Sequence, residues 1–573
     1  MMSSRTLLGC LIAMGLVLRL VGLRFGLPEL YHADEPIVVN HAMAYGTGDL
    51  NPHFFQIPPL ISYLLFVIYG VYFLAGCIIG KFPNAGAFAD LFLSDPTSFY
   101  ALGRFLLGAL PGAATVWVVA ILGKRVVSVR AGLWAAAMMS VCFLPVRDSH
   151  YIYTDIPLSL ALVIALIAIL RIHERGVRKD YLWAGAMVGL CTAIKYNAAL
   201  VGGAYFLAHW LRQTSLREKI VSGQFWAGVG ASLAVFIVTN PFAVLDFSFF
   251  IQSFAAQGQA QGFVGWTHHL SYSLVGGMGG YALAAALIGA GMTLVQKNTK
   301  ACILLGFLIP FYLGITFLGQ EHDRYALPLI PFLSVFLGIF IEGVLPYFSA
   351  PATLNQSWKP SRRLVFIGCI VFFLLPMFIK SAYSDWLFLQ PDSRTLAKRW
   401  IEANVAPGTK IALDHTFYVP KLLPSREQLQ EKLERARGGD HGPSAQKRKK
   451  LERLLALVKP EEKRYPLYFL SDEHDRPSHF SMAEPRSPFD FQRLQQEGVK
   501  VVIMHHIFAR TPHFAFRAQV DSHSRDLYFF SPYRAEWQDF SQEPCVRTGG
   551  AFLWPEMLDR KSNGEYVLVY LLK

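Results

Sequence analysis

Charge is scarce in this chain. Asp, Glu, Lys and Arg make up 16% of its 573 residues, hydrophobic residues 53%, and the mean hydropathy is +0.34. A soluble protein carries about 25% charged residues, so a soluble globular chain of this size is excluded. Cysteine is sparse too: six of the seven lie in apolar runs (Cys10, Cys77, Cys142, Cys191, Cys302, Cys369) and only Cys545 in a polar stretch. No spacing suits a zinc site or a disulfide framework, so they read as small core residues. Walker-type loops, dinucleotide glycine patterns, internal repeats and long low-complexity linkers are all lacking, which removes the familiar nucleotide-binding devices.

What is present is a series of long apolar runs over the first 380 positions, followed by an abrupt rise in charge after Lys380. The fold class expected is a polytopic α-helical membrane protein, residues 1–381, carrying a mixed α/β C-terminal domain, residues 382–573. Hydropathy places spans near 6–25, 99–122, 131–146, 153–171, 181–194, 197–211, 223–243, 273–295, 302–318, 326–346 and 364–380, about eleven in all. The first run lacks a convincing small-residue cleavage site after it and reads as a retained span.

The loops set the orientation. Those near 124–130, 171–179, 212–219, 297–300 and 359–363 hold fifteen Lys or Arg, whereas those near 147–152, 195–196, 246–272 and 319–325 hold three. The first set is expected to be cytoplasmic. The loop with Asp34 and Glu35 then joins the second set on the outer face, provided that the apolar run 57–80 lies in the interface or re-enters. Arg19 and Arg24 oppose this orientation unless they snorkel to the surface. The net charge of +13 is explained by these loops and not by nucleic acid, which is not an expected partner.

On that reading the outer face collects the unusual polar residues: Asp34 and Glu35; Arg147, Asp148, His150, Tyr151 and Asp155 in "RDSHYIYTD"; Lys195 in "KYN"; His268 and His269; and Glu321, His322, Asp323, Arg324 and Tyr325 in "QEHDRY". Ionisable groups at the hydrocarbon boundary are costly unless paired or hydrated, and they mark functional cavities. Each also has a structural reading. Asp34, Glu35 and Asp155 suit helix starts, Lys195 suits snorkelling, Arg324 and Tyr325 suit an interface anchor, and the histidines suit plain loops. Together they suit a general base acting on an acceptor hydroxyl and a cationic cradle for a leaving phosphate. A polyprenyl-phosphate sugar, with its phosphate at the surface and its tail in lipid, matches that layout.

Several blocks then resemble a known family. "LRLVGLRFGLPELYHADEP", "RDSHYIYTDIPL", "KYNAALV", "RYALPLIPFLSV" and "PDSRTLAKRWIEANVAPGTKIALD" are similar to membrane glycosyltransferases of the GT-C class, in the protein O-mannosyltransferase-like and aminoarabinose transferase-like group (glycosyltransferase family 39), over roughly residues 6–415. The resemblance implies inverting transfer of a sugar from a lipid-phosphate donor to a protein, lipid or glycan hydroxyl. Asp34 would be the base, with Glu35 adjacent. Lys195, Arg324 and Arg147 would face the donor phosphate, and His150, Asp155, Tyr325 and His322 would line the substrate site. "IPPLISYLL" keeps the family's juxtamembrane element, while 81–98 and most of 416–573 depart from it. No metal or other cofactor is expected, since the Asp, Glu and His spacings match no metal motif. The expected location is a bacterial or archaeal plasma membrane, with an extracytoplasmic active site. The competing class is a transporter or lipid flippase, which would favour broken midplane helices and symmetry-related repeats.

Overall fold

A computed structural model describes residues 3–573 except 259–262, 264, 318–320, 346–361, 416–417, 437–441, 471–485, 488, 506–510 and 535–552. Cys545 and the loop carrying Lys359 lie outside the described residues. The chain forms two compact units, and both are discontinuous. One comprises 1–23, 50–67 and 102–385; the other comprises 24–49, 68–101 and 386–573. The composition boundary at 381/382 therefore falls close to the last junction, but two earlier segments belong with the C-terminal domain.

Each of the eleven expected spans overlaps a helical segment, though the first, 6–25, is helical only to Leu20. Among the described residues, seven helices are long and apolar enough to cross a membrane: Leu60–Ile78, Thr97–Val126, Asp155–Glu174, Leu216–Thr239, Thr299–Phe317, Asp323–Val344 and Arg363–Asn404. Leu60–Ile78, expected not to cross, is one of them by length and hydropathy. The expected span 273–295 is instead a bent pair, His269–Met278 and Gly280–Val295, turned by 111°. The cause is local: Gly279 sits at φ +88°, a conformation open to glycine and strained for other residues, within the run Gly-Gly-Met-Gly-Gly.

The first unit is packed through small residues. Gly185 and Gly189 on the helix Arg178–Ile194 face the backbone of Gly228 and Ser232 on Gly223–Thr239, with no room for a Cβ. This is how apolar helices approach closely without a hydrophobic drive between them. The same logic accommodates Arg19, which does not snorkel. It is fully buried, with Nη1 donating to Gly15 O at 2.7 Å, Nη2 to Met139 O at 3.0 Å and Nε to Ser149 Oγ at 3.1 Å. Two of the carbonyls it meets, those of Met139 and Ser140, end the helix Val129–Val141 and are left without helical donors. A cation satisfied inside the bundle in this way does not oppose the orientation as a surface arginine would.

The second unit is built on a six-stranded sheet. In chain order the strands are β1 (Ile411–Leu413), β2 (Leu423–Pro424), β3 (Arg464–Tyr465), β4 (Leu467–Leu470), β5 (Arg486–Ser487), β6 (Val501–His505), β7 (Ser524–Phe530) and β8 (Val567–Leu572). The main sheet runs β5-β4-β1-β6-β8-β7, with β2 and β3 forming a separate ladder. β1 pairs in parallel with β4 and β6, while β8 is antiparallel to β6 and β7. The apolar runs of the central strands fit burial on both faces. Ile411, Leu413, Val501, Ile503, Val567 and Val569 pack with Ala397 and Ile401 of the helix Ser393–Asn404. Their alternates Ala412, Val502, Met504 and Leu568 pack with Phe491, Leu494, Phe516 and Val520.

Residues 24–34 are fastened to that same helix. Arg394 stacks on Tyr31 at 4.0 Å and is held by both oxygens of Asp392, at 2.9 and 2.8 Å. The Tyr31 hydroxyl and Thr395 Oγ1 are 3.0 Å apart, and Lys398 Nζ lies 3.4 Å from Glu29 Oε1.

Candidate active site

Three short segments of the first unit bring the polar residues together. The first is the end of the helix Phe143–Asp148. The second is the start of Asp155–Glu174, where Thr154 is the N-cap and Asp155 the first helical residue. The third is the 3₁₀ segment Asp323–Leu329. Lys195 joins them from the extended break between the helix Arg178–Ile194 and the 3₁₀ turn Tyr196–Val201.

Lys195 Nζ donates to Asp155 Oδ1 at 2.6 Å and sits over the Tyr325 ring at 4.4 Å. The side chains are 14% and 4% exposed, so this is a buried pair and not a snorkelling lysine. The ammonium has three donors, and Asp155 takes one while fixing its position. The other carboxylate oxygen, Asp155 Oδ2, is buried with no hydrogen-bond partner among the described residues. Arg324 places its guanidinium over Tyr153 at 4.6 Å and near Tyr325 at 5.8 Å. Both cations thus lie against aromatic faces, and Lys195 is paired with Asp155 as well, an arrangement that orients each of them.

Arg147, expected to face a phosphate, directs its fork at two carboxylates. Nη1 and Nη2 meet Asp323 at 2.8 and 3.2 Å, and Nε meets Asp148 at 2.8 Å. It therefore clamps the segment that carries Arg324 and Tyr325. Burial raises the carboxyl of Asp148 to about 6, against the pull of Arg147. His150 turns away from the cluster: Nε2 lies 2.8 Å from Val21 O and Nδ1 3.0 Å from Val146 O, and burial pushes its imidazole down to about 4. His322 is exposed, with its ring 6.0 Å from that of Tyr325. His268 fastens one loop to another through Glu321 O at 2.9 Å, and His269 is buried against Ser273.

Asp34 and Glu35 belong to the second unit. Asp34 occupies the N-cap position of the helix Glu35–Tyr45, with Glu35 and Pro36 in its first turn, as the helix-start reading expects, but the Asp34 side chain makes no capping hydrogen bond. Its backbone N–H donates to His32 Nδ1 at 3.3 Å. Glu35 is fully buried, whereas Asp34 is half-buried. Among the described residues no group of three His, Cys, Asp or Glu is arranged to hold a metal ion.

Tyr153 is the one member of the cluster that the sequence did not single out. It lies inside "RDSHYIYTDIPL", but nothing in the spacing marks it as the platform for a residue 171 positions later.

Two comparisons bear on the class. Residues 87–242 match the family described as dolichyl-phosphate-mannose-protein mannosyltransferase, a shorter stretch than the resemblance read from the blocks. The fold is that of the GT-C class of membrane glycosyltransferases.

In particular, it is similar to two crystal structures of ArnT from Cupriavidus metallidurans. The one bound to undecaprenyl phosphate is 14% identical, covers 98% of this chain and 97% of that one, and has a TM-score of 0.51. The apo state is 13% identical with the same coverage and a TM-score of 0.50. No curated protein sequence matches the chain.

Proposed function

We propose that the chain is an integral-membrane glycosyltransferase that moves a sugar from a polyprenyl-phosphate donor to an acceptor hydroxyl on a protein, lipid or glycan at the outer membrane face. The observation that carries this reading is the Lys195–Asp155–Tyr325 and Arg324–Tyr153 cluster within a GT-C fold. Undecaprenyl phosphate bound by the similar ArnT structure supports the donor class. Eleven crossings, with the loop 24–34 and the C-terminal domain outside, belong to the same proposal.

In the reaction, the acceptor oxygen attacks the anomeric carbon while the bond to the donor phosphate breaks, inverting the configuration. Asp34 takes the hydroxyl proton. Charge gathers on the leaving phosphate, where Lys195 and Arg324 stabilise it. Asp155 Oδ2 is left to accept from a sugar hydroxyl, and Arg147 acts through the segment it holds. A transporter reading draws on the bent pair at Gly279, because transporters use broken helices.

One experiment separates the two. In purified full-length protein given a polyprenyl-phosphate sugar, Asp34→Asn should lower transfer by about 10³-fold while donor binding is kept. Transfer undiminished in that variant would rule out Asp34 as the base, and no transfer by the parent to any acceptor preparation would sink the enzyme reading.

A further inference from the structure

The reaction just described uses none of the titratable groups after residue 385, where the sheet is built. In an open α/β sheet, ligands bind outside the carboxyl ends of the strands, where the direction of winding reverses. Here the chain passes from β1 to β4 and β5 on one side and then returns to β6 on the other. The reversal therefore lies between β1 and β6, which run parallel. At their carboxyl ends the composition changes. The strand interiors are Ile, Leu, Val, Ala and Met, but the residue after β1 is Asp414 and the last of β6 is His505.

These two residues are fixed to each other. Asp414 Oδ1 pairs with His505 Nδ1 at 2.9 Å, and Oδ2 accepts from the His505 backbone N–H at 2.8 Å. Three rings then share one place: His415 and Tyr418 are 4.4 Å apart, His415 and His505 5.1 Å, and Tyr418 and His505 5.2 Å with planes within 29°. The side chains of His505 and Asp414 are buried, 4% and 7% exposed, whereas His415 and Tyr418 are half-buried, so the cluster grades from a buried polar floor to a half-buried aromatic rim. Aromatic faces suit the C–H face of a pyranose, and an oriented carboxylate and imidazole suit its hydroxyls. A phosphate is a poorer match, because a carboxylate stands at the centre and residues 414–424 contain no glycine with which to build a phosphate-cradling loop.

We propose that the cluster of Asp414, His415, Tyr418 and His505 at the carboxyl ends of β1 and β6 is a carbohydrate-binding site. Resting on the glycosyltransferase reading, it holds a sugar-bearing part of the acceptor. Saturation-transfer NMR on full-length protein in detergent tests this, with methyl α-mannopyranoside, methyl β-glucopyranoside and N-acetylglucosamine as probes and inorganic phosphate as the anion control. At least one sugar should receive saturation, falling about tenfold in Tyr418→Ala and in His415→Ala as aromatic contact is lost. Tyr418→Phe should retain most of it. Asp34→Asn should leave the signal unchanged, which separates failure of this site from failure of the transfer reaction. No sugar signal in the parent, a signal in both alanine variants as strong as the parent's, or phosphate binding lost in place of sugar binding would overturn the proposal. Should Tyr418→Ala fail to fold, His415→Ala carries the test.

Discussion

Lys195 reaches Asp155 across 40 residues of sequence and meets its carboxylate at 2.6 Å. The pair joins the start of one helix to the break after the next, and it leaves one carboxylate oxygen and two ammonium donors for something else. Lys195→Ala should lower transfer by about 10²–10³-fold, the scale of losing one charge-stabilising group in a buried site. It should also raise the donor KM. Steady-state rates over a range of donor concentrations read both, and an unchanged rate would remove Lys195 from the reaction.

Arg324 is held by a ring face, so charge and stacking are separable. Arg324→Lys keeps the charge but loses the planar contact with Tyr153. Tyr153→Leu keeps bulk but loses the π face. Each should weaken donor binding by about 1–2 kcal/mol, measured as a five- to thirtyfold rise in donor Kd. Equal donor binding in both variants and the parent would show that the stack is not part of the site.

Arg147 has a different task, and its loss should register first in stability. Removing it leaves buried Asp148 and half-buried Asp323 without their shared cation, which costs up to about 3–5 kcal/mol, the scale of a broken buried pair. Arg147→Ala should lower the thermal midpoint in detergent and the yield of folded protein. Arg147→Lys should recover only part of this, because an ammonium cannot make the bidentate contact.

Gly108 lies against the carbonyl of Ser149 too closely to admit a Cβ, and Gly112, one turn on, lies against Ser149 and Arg19. Gly108→Val should destabilise the bundle by about 1–3 kcal/mol through overpacking. Gly202→Val, where the added Cβ meets nothing within 4 Å, is the matched control. Thermal unfolding of the two variants side by side tests the difference.

In the sheet domain, burial disfavours protonated His505, but the charge and hydrogen bond of Asp414, aided by Glu565, outweigh it and raise its pKa above the ordinary 6.5. Arg394 acts the other way. A histidine whose pKa rises on folding contributes stability in full below its unfolded value and loses it as pH climbs through the folded value. The pKa of Glu565 is raised as well, from an ordinary 4.5, so its own loss of stability begins at lower pH. The melting temperature should therefore fall as pH rises above the ordinary histidine value of about 6.5, and Asp414→Asn should flatten that fall. A slope unchanged by Asp414→Asn would remove the pair as its cause.

The sequence carried the helical segments because each needs a long apolar run, whatever packs against it. The runs "KIALDH", "YPLYFL", "VKVVIMHH" and "YVLVYLL" that contain β1, β4, β6 and β8 are readable for the same reason, since strands covered on both faces are continuously apolar. Edge strand β7, "SRDLYFF", escaped because its burial alternates irregularly around the register shift at Ser524 and Asp526. The burial of Arg19 escaped as well. Hydropathy scores an arginine by its type, and its partners here, Ser149 Oγ aside, are backbone carbonyls that every residue possesses. Among the site residues, Lys195, Asp155, Arg324 and Tyr325 were legible as rare polar groups in apolar surroundings. That Arg147 would close on Asp323 was not, because pairing between loops is decided by tertiary packing.

The segment 24–49, threaded between stretches of the first unit yet folded with the sheet domain through Tyr31 and Arg394, limits how this protein can be recombined. A chimera that exchanges only the portion after residue 385 would strand Asp34 among foreign neighbours. The heritable module is the C-terminal portion together with 24–49 and 68–101, and grafts that keep those pieces from a single parent are the ones that retain the surroundings of Asp34.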